Sequence, residues 1–389
     1  MHEGSAVFSI FLIFAGAAVL ATLALYARQA MLVAYILLGV LLGPSALGLV
    51  ADASWIKDVS DIGIMFLLYL LGLNLLPSQL VKMFREALWV TVASSLMFAL
   101  CGYALGALLG FPPREALLVG GVSMFSSTII GLKLLPTTTL HHQRMGQVVI
   151  SVLLLQDLMA ILLLLTLQGY GQGGNLLLGL SLQVLKLGVL VAAAVLLERY
   201  VIEKLIARFD QIHEYVFLLV IAWCLGIAEL AVVLNLSREI GAFVAGVALA
   251  SSPVSLFIAE SLKPLRDFFL VLFFFSLGAG FRLDDLVTII WPAIGVAALA
   301  LTLKPVVFRW LLARAGEKPK LSLEIGFRLG QISEFSLLIA VIATEAQVIS
   351  ERASHMLELA TLLTFVVSSY WIVMRYPTPI AVAENLRRD

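Results

Sequence analysis

Apolar stretches of about 20 residues follow one another along the chain, separated by short segments that gather Lys, Arg, Gly and Pro. A helix needs about 20 apolar residues to cross a hydrocarbon core of about 30 Å. The pattern predicts thirteen spans, over 6–26, 29–49, 56–77, 86–110, 114–135, 145–168, 175–198, 214–235, 239–252, 263–280, 286–312, 321–345 and 355–375. A membrane β-barrel would instead alternate apolar and polar residues over about 10 positions, and these stretches do not. The predicted class is an all-α polytopic membrane protein.

Composition sharpens this. Hydrophobic residues make up 61% of the 389 positions and charged residues 13%, against about half and a quarter in soluble domains. A soluble enzyme and a disordered chain are excluded. Lys and Arg number 25, as do Asp and Glu, so no excess of positive charge exists to bind a nucleic acid backbone. Cys101 and Cys224 lie in apolar runs and read as small core residues. The Met1-His2-Glu3-Gly4 start lacks the basic region of a cleaved signal peptide.

Orientation follows from the loop cations. Seventeen of them, including Arg28, Lys82, Arg85, Arg144, Lys263 and Arg314, fall on one side of the predicted spans. Five, namely Lys57, Arg114, Arg238, Arg282 and Arg352, fall on the other. The first side is predicted to be cytoplasmic, with the N-terminus outside and the C-terminus inside, as an odd number of spans requires. The expected location is a plasma membrane, the inner membrane in a bacterium.

The chain also repeats itself. Gly39-Val40-Leu41-Leu42-Gly43 resembles Gly246-Val247-Ala248-Leu249-Ala250, and Leu71-Gly72 resembles Leu277-Gly278. Ser123-Met124-Phe125-Ser126 resembles Ser333-Glu334-Phe335-Ser336. The offsets are 207, 206 and 210 residues. Matched spans lie seven crossings apart, so they run in opposite directions, as in the inverted repeats of secondary transporters. The halves are predicted at about 1–170 and 212–376, joined by a linker helix at 175–198, in one transmembrane domain.

Ionisable groups within a span are functional candidates because an uncompensated charge there costs several kcal/mol. Asp157 stands mid-span with no basic residue within a helical turn. Desolvation disfavours the charged form of a carboxyl, so such a group can hold a proton in one state and a dehydrated cation in another. Gln156 beside it adds a neutral oxygen ligand. Ser126-Ser127-Thr128 between Gly120-Gly121 and Gly131, with Gln331, Ser333 and Glu334 in the partner span, suggest two broken helices offering hydroxyl and carbonyl oxygens. Hydroxyls bonded back to their own helix are the bland alternative. Lys304, followed by Pro305, either snorkels to the interface or serves the site as a charge partner with Glu334. Glu229, Glu239 and the i,i+4 pair Glu324 and Arg328 read as structural. Lys186 is assigned no transport role. His141 and His142, in the loop before the sixth span, read either as a pH sensor or, more commonly, as a solvated pair.

Several of these segments together resemble the membrane domain of Kef-type members of the monovalent cation:proton antiporter-2 family. They are Gln156-Asp157, Ser126-Ser127-Thr128, Arg144-Met145-Gly146, Gly241-Ala242-Phe243-Val244-Ala245-Gly246, Leu249-Ala250-Ser251-Ser252 and Ser333-Glu334-Phe335. The resemblance implies a thirteen-helix homodimer with crossed broken helices in a mobile core that moves like an elevator. It implies that Asp157 binds the monovalent cation or a proton and that Lys304 is the core lysine. Electrogenic relatives have two adjacent aspartates; Gln156 occupies the first place here, as in the potassium-linked branch. Kef members usually read Gly-Leu-Glu-Leu where this chain has Gly72-Leu73-Asn74-Leu75. No G-x-G-x-x-G follows a strand before Asp389, so no cytosolic nucleotide-binding domain is expected within this chain.

The function expected is secondary-active exchange of a monovalent cation, with K⁺ favoured, for H⁺, electroneutral and without enzymatic chemistry or a cofactor. A ligand-gated channel-like K⁺ pathway, an Na⁺/H⁺ antiporter and a sodium-coupled organic-anion symporter remain open alternatives. The expected partners are a second copy, the lipid bilayer, cations and protons, together with any regulatory cytosolic domain or subunit outside this chain.

Overall fold

The computed structural model describes residues 6–27, 29, 31–50, 54–73, 77–135, 144–170, 176–209, 211–252, 254–282 and 286–378. Asn74, His141 and His142 lie outside them. The elements are helical: α1 (Ala6–Tyr26), α2 (Met31–Leu42), α3 (Ser54–Leu73), α4 (Pro77–Leu108), α5 (Pro113–Ser123), α6 (Thr128–Lys133), α7 (Arg144–Tyr170) and α8 (Leu176–Leu197). After a π-helical turn at Glu198–Ile202 come α9 (Glu203–Phe209), α10 (His213–Val233), α11 (Arg238–Leu249), α12 (Ser255–Gly280), α13 (Leu286–Arg314), α14 (Pro319–Arg328), α15 (Glu334–Glu345) and α16 (Glu351–Arg375). Each of the thirteen predicted spans coincides with a helix or a helix pair. Among the described residues, seven helices are long and apolar enough to cross a membrane. The spans at 114–135 and 321–345 are each split in two.

The chain forms two compact units. The first takes Met1–Ala17, Tyr35–Lys82 and Gln168–Gly280; the second takes Ala18–Ala34, Met83–Leu167 and Phe281–Asp389. Both units draw on both predicted halves.

In the first unit α3 packs against α11 and α12, and α10 packs against α11. Lipid offers little hydrophobic drive for helices to associate, so close backbone approach at small residues carries the packing. A Cβ on Gly39 would stand 2.0 Å from the Phe275 carbonyl oxygen, and one on Gly278 would stand 2.0 Å from that of Ile36. A Cβ on Gly246 would stand 2.1 Å from the Tyr69 carbonyl oxygen, and one on Gly72 would stand 2.5 Å from that of Phe243. The glycines paired by the offsets of 207 and 206 thus sit in two crossings of the same construction, α2 on α12 and α11 on α3. Cys224 is buried in this unit and Cys101 half-buried in the other, both as free thiols. Lys186 is half-buried on α8, and Arg238 bonds Glu229 at 2.7 Å.

The second unit has a core of branched and aromatic side chains from α4, α7, α13 and α14, among them Val90, Phe98, Val149, Val152, Phe308 and Ile325. Phe98 and Phe308 meet edge to face at 5.4 Å. This core flanks α7 and α13, the helices that carry Asp157 and Lys304.

Gly246→Ala should destabilise the protein by roughly 1–3 kcal/mol, because overpacking forces two backbones apart. Gly226→Ala, where a Cβ meets open space on α10, should leave thermal unfolding in detergent unchanged. Equal melting curves for the two variants would remove the glycine crossing as a packing determinant.

Candidate functional site

All the candidate residues of the sequence fall in the second unit. The first broken helix, α5, begins at Pro113 and stops at Ser123; the chain runs non-helically through Phe125–Ser127 and restarts as α6. The second stops at Arg328, with Leu329 and Gly330 beyond it, and restarts at Glu334. Each restart is capped by a serine. The Ile130 N–H donates to the Ser127 hydroxyl at 3.1 Å, and the Phe335 N–H donates to the Ser333 hydroxyl at 3.1 Å. Such caps satisfy donors that the first helical turn leaves open. Ser127 and Ser333 are 206 residues apart, so the pairing of Ser123 with Ser333 at offset 210 is corrected by one helical turn. Ser123 instead ends α5 and bonds back to the Val119 carbonyl.

A broken helix at membrane depth frees peptide groups that must find partners inside the protein. Gln156 supplies two. Its Oε1 accepts from the Ser126 N–H and its Nε2 donates to the Met124 carbonyl, both at 3.0 Å. The side chain works as a splint along the gap between α5 and α6. Gln156 was expected as a neutral cation ligand; in the structure its oxygen accepts from the Ser126 amide, which the broken helix leaves without a helical partner. Gln331 does similar work in the second gap. Its Nε2 donates to the Arg328 carbonyl at 2.9 Å and its Oε1 accepts from Ser368 at 3.0 Å. The Ile332 N–H donates to the Thr364 hydroxyl at 3.1 Å.

The two gaps are also tied to each other. The Ser126 hydroxyl donates to the Leu329 carbonyl at 2.8 Å, and Ser336 donates to the Val122 carbonyl at 2.9 Å. Lys304 bridges them from α13, donating to the Phe125 carbonyl at 2.6 Å and the Gln331 carbonyl at 2.9 Å. Its Nζ also lies 5.5 Å from the centre of the Phe98 ring, within cation–π range. Lys304 is 1% exposed, so it does not snorkel. Among the described residues it makes no ion pair with Asp157 or Glu334. The α13 backbone continues as helix through Pro305.

Asp157 faces this crossing from α7 and is 1% exposed. The Thr128 hydroxyl, at the first residue of α6, reaches its Oδ2 at 3.1 Å and its Oδ1 at 3.4 Å. Thr128 is half-buried, whereas Ser126 and Ser127 are sealed. Glu334, the first residue of α15, is buried and close enough to act electrostatically on Asp157. The site therefore holds two carboxyl groups, one bridging ammonium group and a dense set of hydroxyl and carbonyl oxygens. Oxygen donors of this kind suit hard cations.

The family described as sodium/hydrogen exchanger, transmembrane, matches residues 10–374. The chain belongs to the sodium/hydrogen exchanger family. It is a multi-pass membrane protein. Among its relatives, the iron transporter MagA of Paramagnetospirillum magneticum is 29% identical over 89% of this chain and 80% of its own length. The cation/proton antiporter YbaL of Escherichia coli, a putative assignment by its name, is 30% identical over 90% of this chain and 65% of its own length. The glutathione-regulated potassium-efflux protein KefC of Klebsiella pneumoniae is 30% identical over 87% of this chain, which spans 55% of KefC. A Kef-type kinship is thereby consistent across several relatives. Among solved structures, the sodium proton antiporter MjNhaP1 of Methanocaldococcus jannaschii superposes with a TM-score of 0.71 at 17% identity, covering 94% of this chain and 96% of that one. The exchanger fold is shared with it.

Two clamps go beyond the sequence reading, which had Arg328 paired with Glu324 alone and gave Thr364 and Ser368 no part. Arg328, 1% exposed, pairs with Glu324 at 2.8 Å and also donates to the Leu134 and Pro377 carbonyls at 2.9 Å. Thr364 and Ser368 hold the second gap from α16. Their signal was present as a periodic row of hydroxyl residues in an otherwise apolar span. Gln156→Leu should leave the Ser126 amide and the Met124 carbonyl without their partner. Each buried orphan costs about 1–3 kcal/mol, so the thermal midpoint should fall. An unaltered midpoint would show that the splint is dispensable.

Proposed function

We propose that this protein is a secondary-active antiporter that exchanges a monovalent cation, K⁺ by preference, for H⁺. The carrying observation is Asp157. It is a buried carboxyl bonded to a single hydroxyl, with no cationic group in ion-pair distance among the described residues. Such a carboxyl binds either a proton or a partly dehydrated cation and excludes holding both. The names of KefC and of the K(+) efflux antiporters of Arabidopsis thaliana support potassium as the cation.

Thr128 contributes a hydroxyl oxygen beside Asp157 and is the half-buried member through which an ion arrives. Gln156 and Gln331 keep the two gaps open, so carbonyl oxygens remain in place when the carboxyl changes state. Lys304 neutralises the carbonyl-rich crossing through its bonds to the Phe125 and Gln331 carbonyls. Ser126, Ser127 and Ser333 hold the geometry by bonding backbone. All of these residues belong to one compact unit, which supports an elevator movement in which that unit carries the ion as a body. The seventeen-to-five division of loop cations supports an outside N-terminus, and a homodimer is the assembly proposed.

With one exchanging carboxyl, the stoichiometry is one cation for one proton. Each tenfold proton gradient then supplies about 1.4 kcal/mol, and voltage supplies nothing. An electrogenic cycle would gain about 2.3 kcal/mol per net charge per 100 mV. In proteoliposomes, a K⁺ pulse should release protons at a rate insensitive to an imposed potential. Asp157→Asn should abolish this flux while keeping the wild-type elution profile and melting curve. Substantial K⁺-driven proton flux in a folded Asp157→Asn protein would sink the assignment.

Lys304→Gln keeps donors for the two carbonyls but removes the charge. The expected result is a folded protein with tighter apparent cation affinity and looser proton coupling. An unchanged affinity and pH profile with only a lowered melting point would make Lys304 a purely structural bridge.

A further inference from the structure

The helix α16 carries a feature that the exchange reaction does not use. Ser354, Glu358, Thr361, Thr364 and Ser368 recur at intervals of four, three, three and four residues, which places them on one helical face. All five are buried. The inner part of that face is tied to the site: Thr364 accepts from the Ile332 amide and Ser368 donates to Gln331. The outer part holds a carboxyl. Glu358 lies seven residues beyond Glu351, the first residue of α16, which is about 10 Å of axial rise. Its side chain accepts one bond, from the Ser354 hydroxyl at 3.2 Å. At the Glu351 end a surface hollow of about 540 Å³ is bounded by Arg114, Glu115, Thr344, Gln347 and Ser350.

The charged surroundings of Glu358 are accounted for element by element. The helices packed on α16 are α13, α15, α14 and α5. Lys304 of α13 is engaged with the Phe125 and Gln331 carbonyls. Arg309 and Arg314 follow it toward the end of α13. Glu334 begins α15 beside the second gap, and Glu345 ends it. On α14, Arg328 reaches Pro377, beyond the opposite end of α16 from Glu351, and holds Glu324 with it; Lys320 stands at the start of α14. On α5, Glu115 accepts from the Ser350 amide at 2.9 Å, with Arg114 next to it. On α16 itself His355 is one turn away and touches the Phe281 ring at 5.4 Å, and Arg352 bonds the Thr288 carbonyl. Arg282 pairs with Glu351 at 3.6 Å. Among the described residues none forms an ion pair with Glu358.

We propose that Glu358 is a second proton-binding site, set on the buried polar face of α16 between the Glu351 end and the gap held by Gln331. A carboxyl removed from water with no cation beside it gains from binding a proton, because burial disfavours its charged form. Its position one-third of the way along α16 puts it between solvent and the second gap. Protons reaching Asp157 from the Glu351 side pass a group that competes for them. On the orientation proposed above that side is the outer one. The role in transport rests on the exchange reading; the proton site itself does not.

The test is infrared difference spectroscopy of the full chain in lipid, titrated with pH, on wild type, Glu358→Gln and Asp157→Asn. Glu358→Gln should lose one titrating protonated-carboxyl band that Asp157→Asn keeps. Retention of every titrating band in Glu358→Gln overturns the proposal. Should the glutamine variant fail to fold, Glu358→Asp serves instead: the band should move in frequency, and an unmoved band overturns the proposal. In oriented proteoliposomes, Glu358→Gln should move the pH of half-maximal exchange by roughly one unit, tenfold in proton concentration, when pH is varied on the Glu351 side only. An equal movement on both sides, or none on either, overturns the placement on that side. Persistent flux in Asp157→Asn would defeat the exchange reading while leaving the infrared result standing.

Discussion

Peptide groups without helical partners, held where no water reaches them, impose the constraint on which the second unit depends. Each gap exposes amides and carbonyls that would cost several kcal/mol apiece in hydrocarbon. The chain answers with side chains brought from elsewhere: Gln156 along the first gap, Gln331, Thr364 and Ser368 at the second, and Lys304 across both. Asp157 and Thr128 can face each other because these partners keep the ends of α5 and α6 apart. The apolar core around Phe98, Phe308 and Val152 then fixes the two helices that deliver Asp157 and Lys304.

The same constraint explains why polar residues here divide into two kinds. Ser126, Ser127 and Ser333 bond backbone, and Gln331 is held between the Arg328 carbonyl and the Ser368 hydroxyl. Asp157 and Thr128 instead face each other, the Thr128 hydroxyl pointing at the carboxyl. An ion entering the site meets oxygens that are already positioned, so little reorganisation accompanies the change between proton and cation. Glu324 and Arg328, which form the i,i+4 pair read from spacing alone, extend this scaffolding to Leu134, just past the end of α6, and to the segment after α16.

Much of this architecture was legible in the sequence because membrane helices announce themselves by length and composition. The thirteen spans and the isolation of Asp157 follow from counting apolar residues between charges, and the two interruptions from the polar residues and glycines that the repeat matches. The role of Gln156 was not legible. A glutamine next to an aspartate reads as a ligand until the neighbouring helix is known to be open and in need of bonds. The register of the third repeat match slipped by one turn for a similar reason: Ser123 and Ser127 both precede apolar helix, and only the cap geometry separates them. Lys304 was read as a charge partner in the site, and the structure ties it to the carbonyls of Phe125 and Gln331, two peptide oxygens that carry no mark in a sequence. Glu358 was passed over because it sits near a span end, where a lone carboxylate looks solvated.

The bridge made by Lys304 has a consequence for how the protein is made. The Phe125 carbonyl and the ammonium group that satisfies it are 179 residues apart, and the Gln331 carbonyl comes 27 residues later still. Synthesis at about 5–20 residues per second puts roughly 10–40 s between the insertion of the first gap and the arrival of its last donor. Until Lys304 has been made, the Phe125 oxygen lacks the ammonium group from which it accepts in the folded protein. The first interrupted span therefore enters the bilayer incomplete, and its final shape is set only when the opposite half of the chain has followed it in.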